Sequence, residues 1–416
     1  MADHDSSKKI EEIEYLRAVA VIITVFAHSR LLFLWNPEWL KTINAHFVFG
    51  TGVDLFFCIS GFVISKTLVE MLDNARADEK LLVLKAFWVR RFHRLMPSAW
   101  FWAMWYVIAS GTGVFSHNEL GSFWLNVKNF VAVSTFTANM RDQSNLMAIY
   151  WTLSSEEQFY LVYPIFLLFV AGTHRKWALL AIAGALFLSP PTFRLLALRF
   201  DTMIWGVLLF FFSRTVAYRV FEPTWLQNRA LSIVTALFLV FLLVAVPTTL
   251  GDIYFMPQIL TIVCALLVWI ASYGKSYLLA LPQPFSAGMS WAGARSYAIY
   301  LVHGPALYIT HDIWYRYAAQ RGVKPEQIDA SYTLAYTLTF VALIVLLCEF
   351  NYRVLEVPFI ARGRRIAKEI LAPLRASGAR DGTVGGEATA AASTGLTKTG
   401  VGSASGGTQL PVPAAP

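Results

Sequence analysis

Ten runs of apolar residues, most of them about 18 residues or longer, constrain this chain more than any other feature of its sequence. They occupy 14–34, 47–70, 95–113, 151–172, 176–190, 200–219, 230–248, 255–272, 290–311 and 332–354. The hydrocarbon of a bilayer cannot satisfy backbone N–H and C=O groups, so each run is expected to be helical. The runs are continuous rather than strictly alternating, which argues against a membrane β-barrel. Composition agrees: 56% of the 416 residues are hydrophobic and only 14% charged, far from the surface needs of a soluble globule. The expected fold class is therefore all-α, a polytopic transmembrane bundle of about ten spans. The fifth run is short and suits a tilted or re-entrant helix.

The formal net charge of +8 fits basic cytoplasmic loops better than nucleic-acid binding. With the N-terminus inside, roughly 20 Lys and Arg fall in inner segments and roughly 9 in outer ones, by the positive-inside rule. The richest inner stretch runs from Arg76 to Arg94; Arg316, Arg321 and Lys324 fall outside and count against the assignment. An even number of spans returns the C-terminus to the cytosol. The expected division is a cytosolic N-terminus over 1–13, a membrane domain over 14–358, a basic cytosolic segment over 359–375 and a disordered tail over 376–416. That tail is rich in Gly, Ala, Ser and Thr and lacks the apolar residues of a core. The segment 122–138, aromatic but carrying Asn126, Lys128 and Asn129, reads as an interfacial stretch in an external loop. No cleavable leader is expected, because the first dozen residues are polar and the following run is long enough to anchor. Cys58, Cys264 and Cys348 form no CxxC pair, and neither a disulfide framework nor a metal site is expected.

Ionisable groups inside apolar runs are costly, so each is a candidate for function. Arg17 and His28 in the first run are 11 residues apart, about 20° around a helix and about 16 Å along it. They share a face, with His28 expected deep in the bundle. The plainer reading makes Arg17 an interface anchor and His28 a packing residue. Asp54 enters the second run, where Gly52 and Gly61 permit close helix approach. Arg91 and Arg94, on one face ahead of Pro97, suit bidentate grip of phosphates or, more plainly, a positive-inside signal. Pro97 itself suits a first helical turn. Glu156 and Glu157 open the fourth run; capping by Ser154 or Ser155 accounts for one carboxylate but less well for both. Arg199 and Asp201 are an expected ion pair, His303 sits mid-run in the ninth, and Glu349 and Glu356 near the end of the tenth suit structural pairing. There is no GxSxG elbow, HExxH or GxxxxGK[ST] loop, so any chemistry must be assembled from these intramembrane groups.

In combination the motifs resemble the acyltransferase-3 family of integral membrane O-acyltransferases. The resemblance begins at Leu16-Arg17-Ala18 with His28, spaced as that family's Arg-x10-His signature. It continues through Gly52-Val53-Asp54-Leu55-Phe56-Phe57 to Ser60-Gly61-Phe62, and Arg91-Phe92-His93-Arg94 with Pro97. It ends with Trp151-Thr152-Leu153-Ser154-Ser155-Glu156-Glu157-Gln158-Phe159-Tyr160 and Ser296-Tyr297-Ala298-Ile299-Tyr300-Leu301-Val302-His303-Gly304-Pro305. The resemblance implies a ten-helix core with cytosolic termini in the bacterial inner membrane. It implies transfer of an acyl group, usually acetyl, to hydroxyls of O-antigen (in lipopolysaccharide), exopolysaccharide, peptidoglycan or macrolides. The expected form is the stand-alone type, without an external hydrolase-like domain after the last run.

On that reading acyl-CoA is the expected donor, a glycan or lipid-linked saccharide the acceptor, and no cofactor is tightly bound. His28 is the expected general base, helped by Glu156 or Asp54. Arg17, Arg91 and Arg94 are expected to hold donor phosphates, and Tyr297, His303 and Glu157 to contact the oxyanion or substrate. Direct transfer and an acyl-enzyme relay both fit the residues. The competing readings are a proton-coupled transporter or glycan flippase, for which no internal duplication is visible, and a scaffold, which leaves the buried charges unexplained.

Overall fold

A computed structural model describes residues 10–115, 119–141, 146–189, 199–251, 253–278, 280–324 and 327–373. Among the described residues the regular structure is helical throughout. Among the described residues, twelve helices have ten residues or more: α1 (Glu11–Ala27), α2 (Gly52–Asp73), α3 (Lys80–Thr112), α4 (Phe123–Ser134), α5 (Tyr150–Phe169) and α6 (Gly172–Leu188), then α7 (Phe200–Ser213), α8 (Arg229–Thr249), α9 (Met256–Ser272), α10 (Phe285–Ala294), α11 (Ser296–Ala319) and α12 (Thr333–Phe350). Each of the ten apolar runs meets one of these helices. Four helical segments, Glu11–Leu32, Phe49–Asp73, Arg229–Thr249 and Ala330–Pro373, are long and apolar enough to cross a membrane. The chain is a multi-pass membrane protein. The end of the bundle where α1 begins is called proximal below, the opposite end distal.

Several helix limits differ from the apolar runs for physical reasons. α3 begins 15 residues before the apolar run 95–113, because its basic start is as helical as its apolar remainder. Pro97 therefore lies inside the helix rather than in its first turn, and its ring removes one ladder hydrogen bond. The ninth run is two helices, broken at Arg295, whose backbone leaves helical geometry (φ −108°, ψ 11°). α12 runs into a π-helical turn, Asn351–Glu356, and the segment Ala330–Pro373 stays helical over 44 residues, about 66 Å. The segment 122–138 forms α4, started by Ser122, whose side chain accepts from the Leu125 N–H at 3.2 Å. The expected tail over 376–416 lies outside the described residues.

Small residues set the closest approaches. A Cβ on Gly52 would strike Ala20 and Thr24 of α1, so that glycine seats α2 on α1. Where α2 crosses α7 the arrangement is reciprocal. A Cβ on Gly61 would collide with the Met203 carbonyl, and one on Gly206 with the Cys58 carbonyl. Such backbone contact lets van der Waals packing hold helices where lipid supplies little hydrophobic drive. At the proximal end, Glu12 is buried and accepts from the backbone N–H groups of Ser276 (3.1 Å) and Leu278 (2.6 Å), fixing α1 to the loop after α9.

Candidate active site

Five helices deliver polar side chains to one interior cavity of about 100 Å³. Arg17 comes from α1, Ser60 from α2, Arg91 and Arg94 from α3, Thr152, Glu156 and Tyr160 from α5, and Tyr297 and Tyr300 from α11. Helical spacing decides which of these groups share a face. Arg91 and Arg94, three apart, face the same way, and so do Glu156 and Tyr160, four apart. The Tyr160 hydroxyl donates to Glu156 Oε1 at 2.5 Å, and Ser60 donates to the same oxygen. Arg91 lies over the Tyr160 ring at 5.2 Å and the Phe87 ring at 5.7 Å. Arg17 lies 3.6 Å from Glu14 and has Arg94 and Glu156 among its electrostatic neighbours. Three guanidiniums thus share a small space in which Glu156 is already engaged by two hydroxyls.

Glu156 and Glu157 are not at a helix start. α5 begins at Tyr150 without a side-chain cap, so they are its seventh and eighth residues, and the expected capping role is absent. Neighbouring positions diverge by about 100°. Glu156 turns to the cavity, while Glu157 is buried away from it, its Oε1 without a hydrogen-bond partner among the described residues. Ser154 and Ser155 instead receive the Ala138 N–H and the Asn139 amide, both at 3.3 Å, which ties the preceding loop to α5.

The histidines form a second centre. His28 is the residue at which α1 ends, with φ −91° and ψ 0°, and it is half-buried rather than deep in the bundle. Its Nδ1 lies 3.1 Å from the Thr24 carbonyl oxygen. A carbonyl only accepts, so Nδ1 carries the proton and Nε2 keeps a basic lone pair. His303 is fully buried, and its ring centroid lies 4.9 Å from that of His28. Its Nδ1 lies 2.6 Å from the Tyr300 carbonyl, which fixes the same tautomer, and its Nε2 has no hydrogen-bond partner among the described residues. His28 does not line the arginine cavity. Tyr300 joins the two centres: it lines the cavity, and its ring centroid is 5.7 Å from that of His303. The Tyr300 hydroxyl donates to the Ile149 carbonyl at 2.7 Å and lies 2.7 Å from Thr152 Oγ1.

Two expected partners are placed elsewhere. Asp54 is paired with Arg199, so the ion pair expected between Arg199 and Asp201 is made with α2 instead. The hydrogen-bond partner of His28 is thus the Thr24 carbonyl, neither Asp54 nor Glu156. Tyr297 lines the cavity with its ring, but its hydroxyl donates to the Leu95 carbonyl at 2.6 Å and is spent there. Sequence reasoning missed Ser60, Tyr160, Thr152 and Tyr300 as site residues. The i, i+4 spacing of Glu156 and Tyr160 was a usable signal; the approach of Ser60 to Glu156, 96 residues away in sequence, was not.

The arrangement combines an anion-binding guanidinium cluster, a carboxylate and a neutral imidazole with a free lone pair, a set suited to moving a group from an anionic donor to a hydroxyl. A family model described as "Acyltransferase domain" matches residues 10–349. The chain belongs to that family, the acyltransferase-3 family of membrane proteins. Among curated relatives it is 27% identical over 349 residues to the peptidoglycan O-acetyltransferase OatA of Listeria monocytogenes, covering 73% of this chain and 50% of the relative. It is 23% identical over 393 residues to a proposed O-acetyltransferase of Staphylococcus aureus, covering 85% and 58%. It is 24% identical over 400 residues to a proposed peptidoglycan O-acetyltransferase, YrhL, of Bacillus subtilis, covering 86% and 56%. The chain spans between half and three-fifths of the length of these relatives. No solved structure matches it.

Proposed function

We propose that this protein is an inner-membrane O-acetyltransferase that moves an acetyl group from cytosolic acetyl-CoA to a hydroxyl of a cell-envelope glycan. The observation that carries the reading is the convergence of Arg17, Arg91 and Arg94 with Glu156 on one cavity, linked through Tyr300 to the His303–His28 pair. The proximal end faces the cytosol on this reading, and the guanidiniums hold the donor's phosphates there. The size of the cavity supports a short acyl group. The peptidoglycan O-acetyltransferases among its relatives make peptidoglycan the favoured acceptor class.

The chemistry balances with His28 as base. Its Nε2 takes the proton of the acceptor hydroxyl as that oxygen attacks the thioester carbonyl carbon. The C–S bond then breaks, and the thiolate leaves with the proton returned by the imidazolium. The Thr24 carbonyl keeps Nδ1 protonated, so the lone pair stays on the reacting side.

Purified protein in lipid vesicles, given radiolabelled acetyl-CoA and soluble peptidoglycan fragments, should label the glycan. Absence of label with every glycan hydroxyl class offered, while the protein is folded and binds donor, overturns the reading.

A further inference from the structure

The π-helical turn after α12 carries a buried carboxylate, Glu356, that the reaction above does not use. Asn351 and Glu356 are five residues apart, which in an α-helix would set them about 140° apart around the axis. The wider turn brings them together, and Asn351 Nδ2 donates to Glu356 Oε1 at 2.8 Å. The amide orientation is fixed from its other side. Trp102 Nε1 of α3 donates to Asn351 Oδ1 at 2.9 Å, and an indole N–H can only donate. Asn351 is fully buried and Glu356 is 5% exposed. Beyond the turn the helix stays docked: Gly363 seats on His93 of α3, where a Cβ would lie 2.6 Å from the histidine Cβ.

The guanidinium cluster lies within electrostatic range of this carboxylate. Its electrostatic neighbours are Arg94 first, then Arg17, with Arg295 weaker. Arg94 and Arg17 line the cavity, and each raises the potential at the other. No ion pair within 4.0 Å joins Glu356 to either of them among the described residues. The neighbouring Glu349 behaves differently. It is spent on Arg295 (2.6 Å), Arg353 (2.7 Å) and the Trp291 indole (2.8 Å).

We propose that Glu356 is a positioning residue of the donor site, a fixed counter-charge held by the π turn that tempers the Arg17–Arg94 cluster so that an anionic donor binds reversibly. The inference rests on the reading of those arginines as phosphate ligands. A direct ion pair would occupy the guanidinium donors and block phosphate; a carboxylate set back from them lowers the local positive potential and leaves the N–H groups available. Removing the charge while keeping the shape therefore strengthens anion binding, the opposite of what loss of a structural hydrogen bond would do.

The test uses the full chain in detergent or nanodiscs, with free coenzyme A as the probe. Glu356→Gln keeps the acceptor for Asn351 and should bind coenzyme A about tenfold more tightly, with a steeper loss of affinity as salt rises. In turnover its donor KM should fall, and kcat should fall with it because product leaves more slowly. Glu356→Asn serves as a second uncharged replacement, and Glu356→Asp, which keeps the charge, should bind as the parent does. Unchanged or weaker coenzyme A binding in folded Gln and Asn variants overturns the role of Glu356. Arg94→Gln is the separate control: unchanged coenzyme A binding in that variant overturns the donor reading itself.

Discussion

Two sets of buried or half-buried arginines stand at the proximal end of the bundle, and only one of them faces a cavity. Arg175 in α6 is 5% exposed, and all its nitrogens are engaged. It donates to Asp73 at 2.7 Å, to the Leu167 carbonyl at 2.9 Å and to the Val170 carbonyl at 3.0 Å. Arg91 and Arg94 in α3 have no hydrogen bond or ion pair among the described residues, and Arg91 has only ring faces. The difference shows that burial of a charge does not by itself mark function. Arg175 closes the turn between α5 and α6 and ties it to the end of α2. Arg91 and Arg94 leave their donors uncommitted at a cavity, which carries a solvation cost that the donor's phosphates would offset on the proposed reading.

The contrast can be broken at its most sensitive point by His28→Ala. That variant should accumulate in the membrane yet lose activity by about 10²- to 10⁴-fold, the usual worth of a general base. Near-parental product would remove His28 from the chemistry and leave the arginine cavity as a binding site alone. A double Arg91→Gln, Arg94→Gln variant should raise the donor KM by about 10- to 100-fold, with thermal stability unchanged. Lysine at both positions should recover only part of the affinity, because an ammonium lacks the planar fork. Measuring coenzyme A affinity alongside cysteine accessibility of the segment from Arg76 to Arg94 separates binding from orientation. If a correctly oriented double variant binds normally, the pair is a topology signal.

Arg175→Ala should show the reverse pattern. It leaves the buried Leu167 carbonyl and the half-buried Val170 carbonyl without their donor, and Asp73 with Arg214 alone at 3.6 Å, so stability should fall by about 2 to 3 kcal/mol while the donor KM of the surviving protein stays put. A thermal-shift series with kinetics would reveal any exchange of roles between the two arginine sets. The smallest expected effect comes from deleting the chain from Ala376 onward. That stretch is poor in large apolar residues, and its loss should leave insertion and activity unchanged. Total loss of activity in a normally inserted truncation would move part of the site into the tail.

The helical class was legible because a bilayer sets both the length and the polarity of what crosses it. Helix limits were less so. Hydropathy reports where lipid lies, not where a helix stops, so the basic start of α3 and the long continuation of α12 read as loops. The site was legible wherever one helix carries the pattern, as for Arg91 with Arg94, or where polarity breaks an apolar run, as for Arg17 and Glu156. It was not legible where partners come from distant segments. The pairing of Asp54 with Arg199, the meeting of His28 with His303 and the approach of Ser60 to Glu156 are products of packing. The partner of Glu356 escaped for a further reason: counting at 100° per residue turns Glu356 away from Asn351, and only the π turn brings the two together.

Tyr297, Tyr300, His303 and His311 all ride on α11, and they serve different neighbours along its length. Tyr297 touches the proximal cavity, Tyr300 the junction, His303 the ring of His28, and His311 the Leu32 carbonyl at 3.1 Å and the Glu119 carboxylate at 2.7 Å. The helix therefore works as a ruler whose marks cannot be respaced. One residue inserted between Tyr300 and His303 would swing the later marks by about 100° and advance them by about 1.5 Å against the earlier ones. Both centres would lose register in a single event, even with every named side chain still present. Along this stretch the count of residues is as constrained as their identity.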